Sequence, residues 1–176
     1  MNTPPVRYAP SLRRLHWLMV VLIAAGYLLI EQRGIFGRPG RFVMMQSHFW
    51  VGISIFLLAF WRLVQRAKHG APPVTPALPQ WQDVLSKAMH FSLYAFFIVM
   101  PILGISAAWL DGKSVFIPFT RVAIPALLSE NEFWAHSIED LHGDIGNIFY
   151  YVIGFHIAAA LYHHFVRKDD TLARMR

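Results

Sequence analysis

His142-Gly-Asp-Ile-Gly146-Asn-Ile-Phe-Tyr-Tyr-Val-Ile-Gly-Phe-His156-Ile-Ala-Ala-Ala-Leu-Tyr-His163 is an apolar run carrying three histidines and one acid. As a helix it rises 1.5 Å per residue and turns 100° per residue. The 14-residue step from His142 to His156 then covers about 21 Å of axis with an angular offset of only about 40°. One helix presents two imidazoles on one face at two depths. The run also exceeds the roughly 20 residues needed to span hydrocarbon.

Three other apolar segments accompany it. The spans are predicted at about residues 13–31, 46–66, 87–110 and 138–166 of 176. Charged residues make up only 15% of the chain and apolar types 56%, whereas a soluble domain carries about a quarter charged residues. The predicted fold is all-α: an integral membrane, four-helix up-and-down bundle forming a single domain over 1–176. Pro101 inside the third segment is tolerated by a membrane helix. Ser137 and Asp140 have capping-box spacing at the start of the fourth. Arg62, near the end of the second, is expected to snorkel to the surface. A targeting signal is the competing reading of the first segment, after Arg13-Arg14.

The run Ala71-Pro72-Pro73-Val74-Thr75-Pro76-Ala77-Leu78-Pro79 reads as an extended linker. Eleven of the sixteen Lys and Arg fall on the termini and this second connection. By the positive-inside rule both termini are cytoplasmic. The formal charge of +6 is dispersed beside apolar segments, so it points to membrane lipid and not to nucleic acid.

Histidine depth carries the functional reading. His16 opens the first span on the inner side and His48 opens the second on the outer side. They match His156 and His142 in level, which gives the pairs His16–His156 and His48–His142. Imidazole suits haem iron, and two histidines fill both axial positions, favouring electron transfer over ligand binding. The absence of cysteine excludes iron–sulfur clusters, thiolate chemistry and covalent haem attachment. Two haem b groups held by these four histidines, acting as iron ligands, are therefore expected, with no catalytic residue beyond them. Gly52 and Gly146 each lie four residues after an outer ligand, on the same helix face, where a missing side chain leaves room for a macrocycle; close helix packing is the competing explanation. His90 and His163 fall near the inner level and could serve a quinone or relay protons. His69, in a loop, and His136, placed before the fourth helix, read as interfacial, and His164 receives no role.

Leu15-His16-Trp17, Gln46-Ser47-His48, the run Val152 to His164 and the tail Lys168-Asp-Asp-Thr-Leu-Ala-Arg-Met175 together resemble the bacterial cytochrome b561 family, over nearly the whole chain. The resemblance implies a dihaem b cytochrome of the bacterial inner membrane, with His16, His48, His142 and His156 as axial ligands and His90 and His163 near ubiquinone. Within the family the likeness is strongest to superoxide oxidases, which pass electrons from superoxide to ubiquinone. The two outer connections carry five basic and six acidic residues, so net charge gives superoxide no steering there; only a local cluster around Arg33, Arg38 and Arg41 could. An electron-transfer subunit served by a partner dehydrogenase or soluble donor is the alternative, and a haemless histidine-lined transporter ranks third.

Overall fold

The computed structural model describes residues 7–35 and 37–176. Four long helices dominate: α1 (Pro10–Glu31), α2 (Gly37–His69), α3 (Gln80–Leu110) and α4 (Glu132–Tyr162). Each is long and apolar enough to cross a membrane. A short antiparallel hairpin, β1 (Val115–Phe116) and β2 (Ala123–Ile124), lies between α3 and α4, with Val115 opposite Ile124. After α4 the chain tightens into a π-helical turn, His163–Arg167, and ends in a 3₁₀ turn, Ala173–Met175. Residues 70–79, the proline-rich linker, carry no helix or strand.

The helices run beyond the spans read from hydropathy. Thirty-one residues of α3 or α4 make about 46 Å of helix against about 30 Å of hydrocarbon. Hydropathy reports the lipid slab, while the helix ends follow the caps. Pro10 occupies the first turn of α1, where its missing N–H costs nothing. Asn131 caps α4, its side chain accepting from the Trp134 N–H. The capping box expected at Ser137 is therefore incorrect: Ser137 lies inside α4 and donates back to the Phe133 carbonyl, 2.9 Å away. His136 likewise sits within α4, exposed and 3.9 Å from Glu132, and not ahead of it.

Backbone packing follows the order of the chain: α1 on α2, α2 on α3, α3 on α4. Gly26 brings α1 close to α2, where a Cβ would meet Val51 Cγ1 at 3.5 Å. Phe149 of α4 is 2% exposed and stacks on Phe96 of α3. Such contacts hold a membrane bundle by van der Waals packing, because lipid tails are as apolar as the side chains. Val21, Leu28, Phe91, Tyr151 and Phe155 remain exposed and form the lipid-facing coat. The backbones of α1 and α4 barely approach, and neither do those of α2 and α4. Both proposed ligand pairs cross these two gaps.

Candidate functional site

At the end of the bundle bearing the α1–α2 and α3–α4 connections, His48 of α2 faces His142 of α4 with ring centres 6.2 Å apart. The Nδ1 of His48 lies 3.0 Å from the Gly26 carbonyl, and that of His142 lies 3.1 Å from the Met100 carbonyl. Donation from Nδ1 to a carbonyl fixes the tautomer and leaves Nε2 with its lone pair, as in metal-ligating histidines generally. Gly104 makes room for the His142 ring: a Cβ there would stand 3.0 Å from Cε1 and 3.4 Å from Nδ1. Cβ atoms on Gly52 and Gly146 would point toward α3, 4.0 Å from Pro101 and 3.6 Å from Met100. The Gly146 carbonyl accepts from the Tyr27 hydroxyl at 2.9 Å, which ties α1 to α4 beside the gap. Gln46 bonds both Ser114 and Phe116, and Trp50 donates to the Phe116 carbonyl. The hairpin is thus pinned to the turn of α2 that carries His48.

At the end bearing the termini, His16 of α1 and His156 of α4 have ring centres 6.4 Å apart. His90 of α3 approaches the same His156 at 5.9 Å, so three imidazoles gather where the sequence paired two. Arg62 is not free to snorkel. It is half-buried, with Nε donating to the Tyr94 hydroxyl at 3.1 Å and Nη1 to the Leu12 carbonyl at 2.9 Å. These acceptors on α3 and α1 draw the guanidinium inward between helices.

The spacing suits an iron porphyrin. An imidazole nitrogen sits about 2 Å from a transition-metal ion and about 1.1 Å from its own ring centre, so two axial imidazoles place their centres roughly 6 Å apart. The His48–His142 and His16–His156 separations, 6.2 Å and 6.4 Å, fall at that value. Rings in direct contact across packed helices would not coincide with backbones that stay apart. The rings of His16 and His156 also make no hydrogen bond to protein among the described residues. Leaving polar groups unpaired inside a bundle is costly, and coordination would satisfy them.

Beneath this region the tail folds into a clasp. The Asp169 side chain is fully buried and accepts from His163 Nδ1 at 2.6 Å, Arg167 Nε at 3.1 Å and the Thr171 N–H at 3.0 Å. Arg167 also donates to Gln82 of α3. Burial pushes the Asp169 carboxyl up, but the hydrogen bonds from His163 and Thr171 outweigh it and hold the carboxyl below its ordinary range. Asp170 accepts from the Thr75 N–H and pairs with Arg174, and Arg174 donates to the Pro72 carbonyl. Tail, linker and α3 are joined here. Gly104, Asp169 and the inward Arg62 went unassigned in the sequence; only the Lys168-Asp-Asp tail offered a signal.

Four membrane-length helices with opposed histidines at both ends define a class: helical membrane proteins of electron transfer. The chain belongs to the prokaryotic cytochrome b561 family, whose description it matches over residues 7–176. It is 33% identical over 171 residues to Cytochrome b561 homolog 1 of Escherichia coli strain K12, covering 96% of each chain. It is 34% identical over 161 residues to the Probable superoxide oxidase CybB of Yersinia pestis, covering 92% of this chain and 90% of that one. Cytochrome b561 homolog 2 of Escherichia coli is 26% identical over 178 residues, covering 99% and 93%. The family implies b-type haem and membrane electron transfer, and together with four apolar helices it fits a multi-pass protein of the bacterial inner membrane.

Proposed function

We propose that this cytochrome holds two b haems, one between His48 and His142 and one between His16 and His156, and that it oxidises superoxide to dioxygen while reducing ubiquinone. The observation that carries the reading is the pair of imidazole separations, 6.2 Å and 6.4 Å, across helices whose backbones stay apart. Bound haem b would supply one-electron transfer at each depth. Two superoxide anions, one quinone and two protons give two dioxygen molecules and one quinol.

The chain's own part is clamping, charge and protons. Arg33 is exposed, and its charge reaches His48, while Arg38 and Arg41 are exposed nearby on the first turns of α2. Lys113 is engaged by Asp111 at 2.6 Å and Glu139 at 3.7 Å. Among the described residues, the outer basic groups without an ion pair are these arginines and the exposed Arg121 of the third connection, and the cluster beside α2 is the one adjacent to His48 in sequence. Gly52 and Gly146, whose added Cβ atoms would meet Pro101 and Met100, let α2 and α4 close on α3 beside the ligands. At the termini end, His90 and His163 are the quinone-side imidazoles. His163 is held by the Asp169 carboxylate at 2.6 Å, which fixes its ring at that end of α4. Both termini are assigned to the cytoplasm, where those protons originate. The likeness to a protein named as a probable superoxide oxidase supports this choice of substrate.

Stopped-flow mixing of the purified protein with superoxide tests the function. Haem reduction faster than in buffer controls, with ubiquinol as product, is expected. Haem reduction only through a co-purifying dehydrogenase or soluble donor would replace the reading with that of an electron-transfer subunit.

A further inference from the structure

Arg62 combines three features that nothing above explains. It is a half-buried cation in a membrane helix. Among the described residues it pairs with no carboxylate: its protein acceptors are the neutral Tyr94 hydroxyl and Leu12 carbonyl. It also lies among four helices at one level, close enough for its charge to act on His16, His90 and His156. A guanidinium has five N–H donors in a planar fork, and these two bonds leave three unused. Ionisable groups within spans are expensive and are found paired. A half-buried cation in a span with only neutral partners among the described residues is therefore a site short of one anion. The fork selects a planar carboxylate or a phosphate, held by two parallel bonds.

We propose that Arg62 binds a propionate carboxylate of the porphyrin held by His156, and that its positive charge raises the affinity of that site for an electron. The inference rests on the dihaem reading. Position favours a porphyrin carboxylate over a lipid phosphate. Arg62 is bonded to Leu12 of α1 and Tyr94 of α3, which ties its guanidinium to the helices that carry His16 and His90 and away from the lipid-facing coat. Leu12 lies two residues after the start of α1, so the guanidinium sits at the polar end of the bundle, where the two carboxylates of a porphyrin would meet water. Neutralising an adjacent carboxylate stabilises the reduced, less positive iron. The termini-side haem then becomes the better acceptor of the two, which directs electrons toward the quinone end.

The test is a spectroelectrochemical titration of the purified holoprotein in vesicles, comparing wild type, R62Q, R62K and Y94F. R62Q is expected to lower the midpoint of one haem by at least tenfold in its electron-transfer equilibrium, or 59 mV for one electron, leaving the other haem unmoved. R62K, which keeps the charge, is expected to shift it less. Y94F, which removes one bond to Arg62 but not its charge, is expected to leave it in place. The same shifts are expected in zwitterionic and anionic vesicles. An R62Q midpoint equal to wild type, or equal shifts in R62Q and R62K, would overturn the proposal, as would a shift confined to anionic vesicles, which would assign the guanidinium to lipid phosphate. A wild-type protein lacking a second haem would instead remove the dihaem reading itself.

Discussion

Replacing Gly104 by alanine should empty one haem site and spare the other. The added Cβ would stand 3.0 Å from His142 Cε1, where ordinary contact begins near 3.4 Å. Ring or helix must therefore yield by about 0.4 Å, a displacement that close-packed protein resists. The ring has little freedom, because its Nδ1 is tied to Met100 on the same helix as Gly104. Overpacking of this kind costs about 1–3 kcal/mol, which corresponds to a loss of affinity of about 5- to 150-fold. Disturbing the partner of a metal-ligating histidine costs about 10- to 100-fold, so the two estimates agree. The assay is haem titration of the purified apoprotein followed by absorbance, with haem per chain counted after denaturation. Gly104→Ala should bind one haem normally and the second weakly. Gly143→Ala is the control, since nothing stands within 4 Å of its added Cβ. Two tightly bound haems and an unaltered spectrum in Gly104→Ala would refute the placement of His142 as a ligand.

Further substitutions separate the remaining roles. His48→Ala or His142→Ala should remove one haem and leave a b-type spectrum of half intensity; unchanged haem content would reject that pair. His16→Ala and His90→Ala compete as partners of His156: loss of the second haem is expected in the former only, and the reverse would reassign the axial ligand. Arg33→Glu should slow superoxide-driven haem reduction roughly tenfold at low salt, within the range that electrostatic steering provides, and the difference should shrink as ionic strength rises. The Asp169 carboxyl is held below its unfolded value of 3.8. Its contribution to the clasp is therefore complete above about pH 4 and lost as pH falls through the lower folded value. Trp17 donates to the Met175 carbonyl, so its fluorescence should report release of the tail only in strong acid. Asp169→Asn should abolish that acid transition; a transition retained in the variant would place its origin elsewhere.

The bundle was readable because lipid imposes a coarse rule. Four apolar stretches of sufficient length give four helices, and helical periodicity then fixes the relative depth and facing of His142 and His156. What escaped was set by neighbours distant in sequence. Gly104 acquires meaning only when α3 packs on α4 and brings His142 against it. The carbonyls of Gly26 and Met100 are backbone atoms with no sequence signature. His90 matches His16 in level, and only packing places it beside His156. Arg62 satisfies the pattern of a snorkelling residue, yet the acceptors on Leu12 and Tyr94 turn it inward. Helix ends escaped too, because Asn131 and Pro79 act beyond the hydrocarbon. The hairpin was missed for another reason: its two-residue strands are too short to show alternation and are pinned by Gln46 and Trp50.

Haem stoichiometry of the purified chain bears most directly on all of this. A reduced-minus-oxidised spectrum of the b type, with two haems per polypeptide and no open coordination position for carbon monoxide, is the expected result. A colourless folded protein, or a single haem that binds carbon monoxide, would contradict the claim that opposed imidazoles at two depths clamp iron porphyrin.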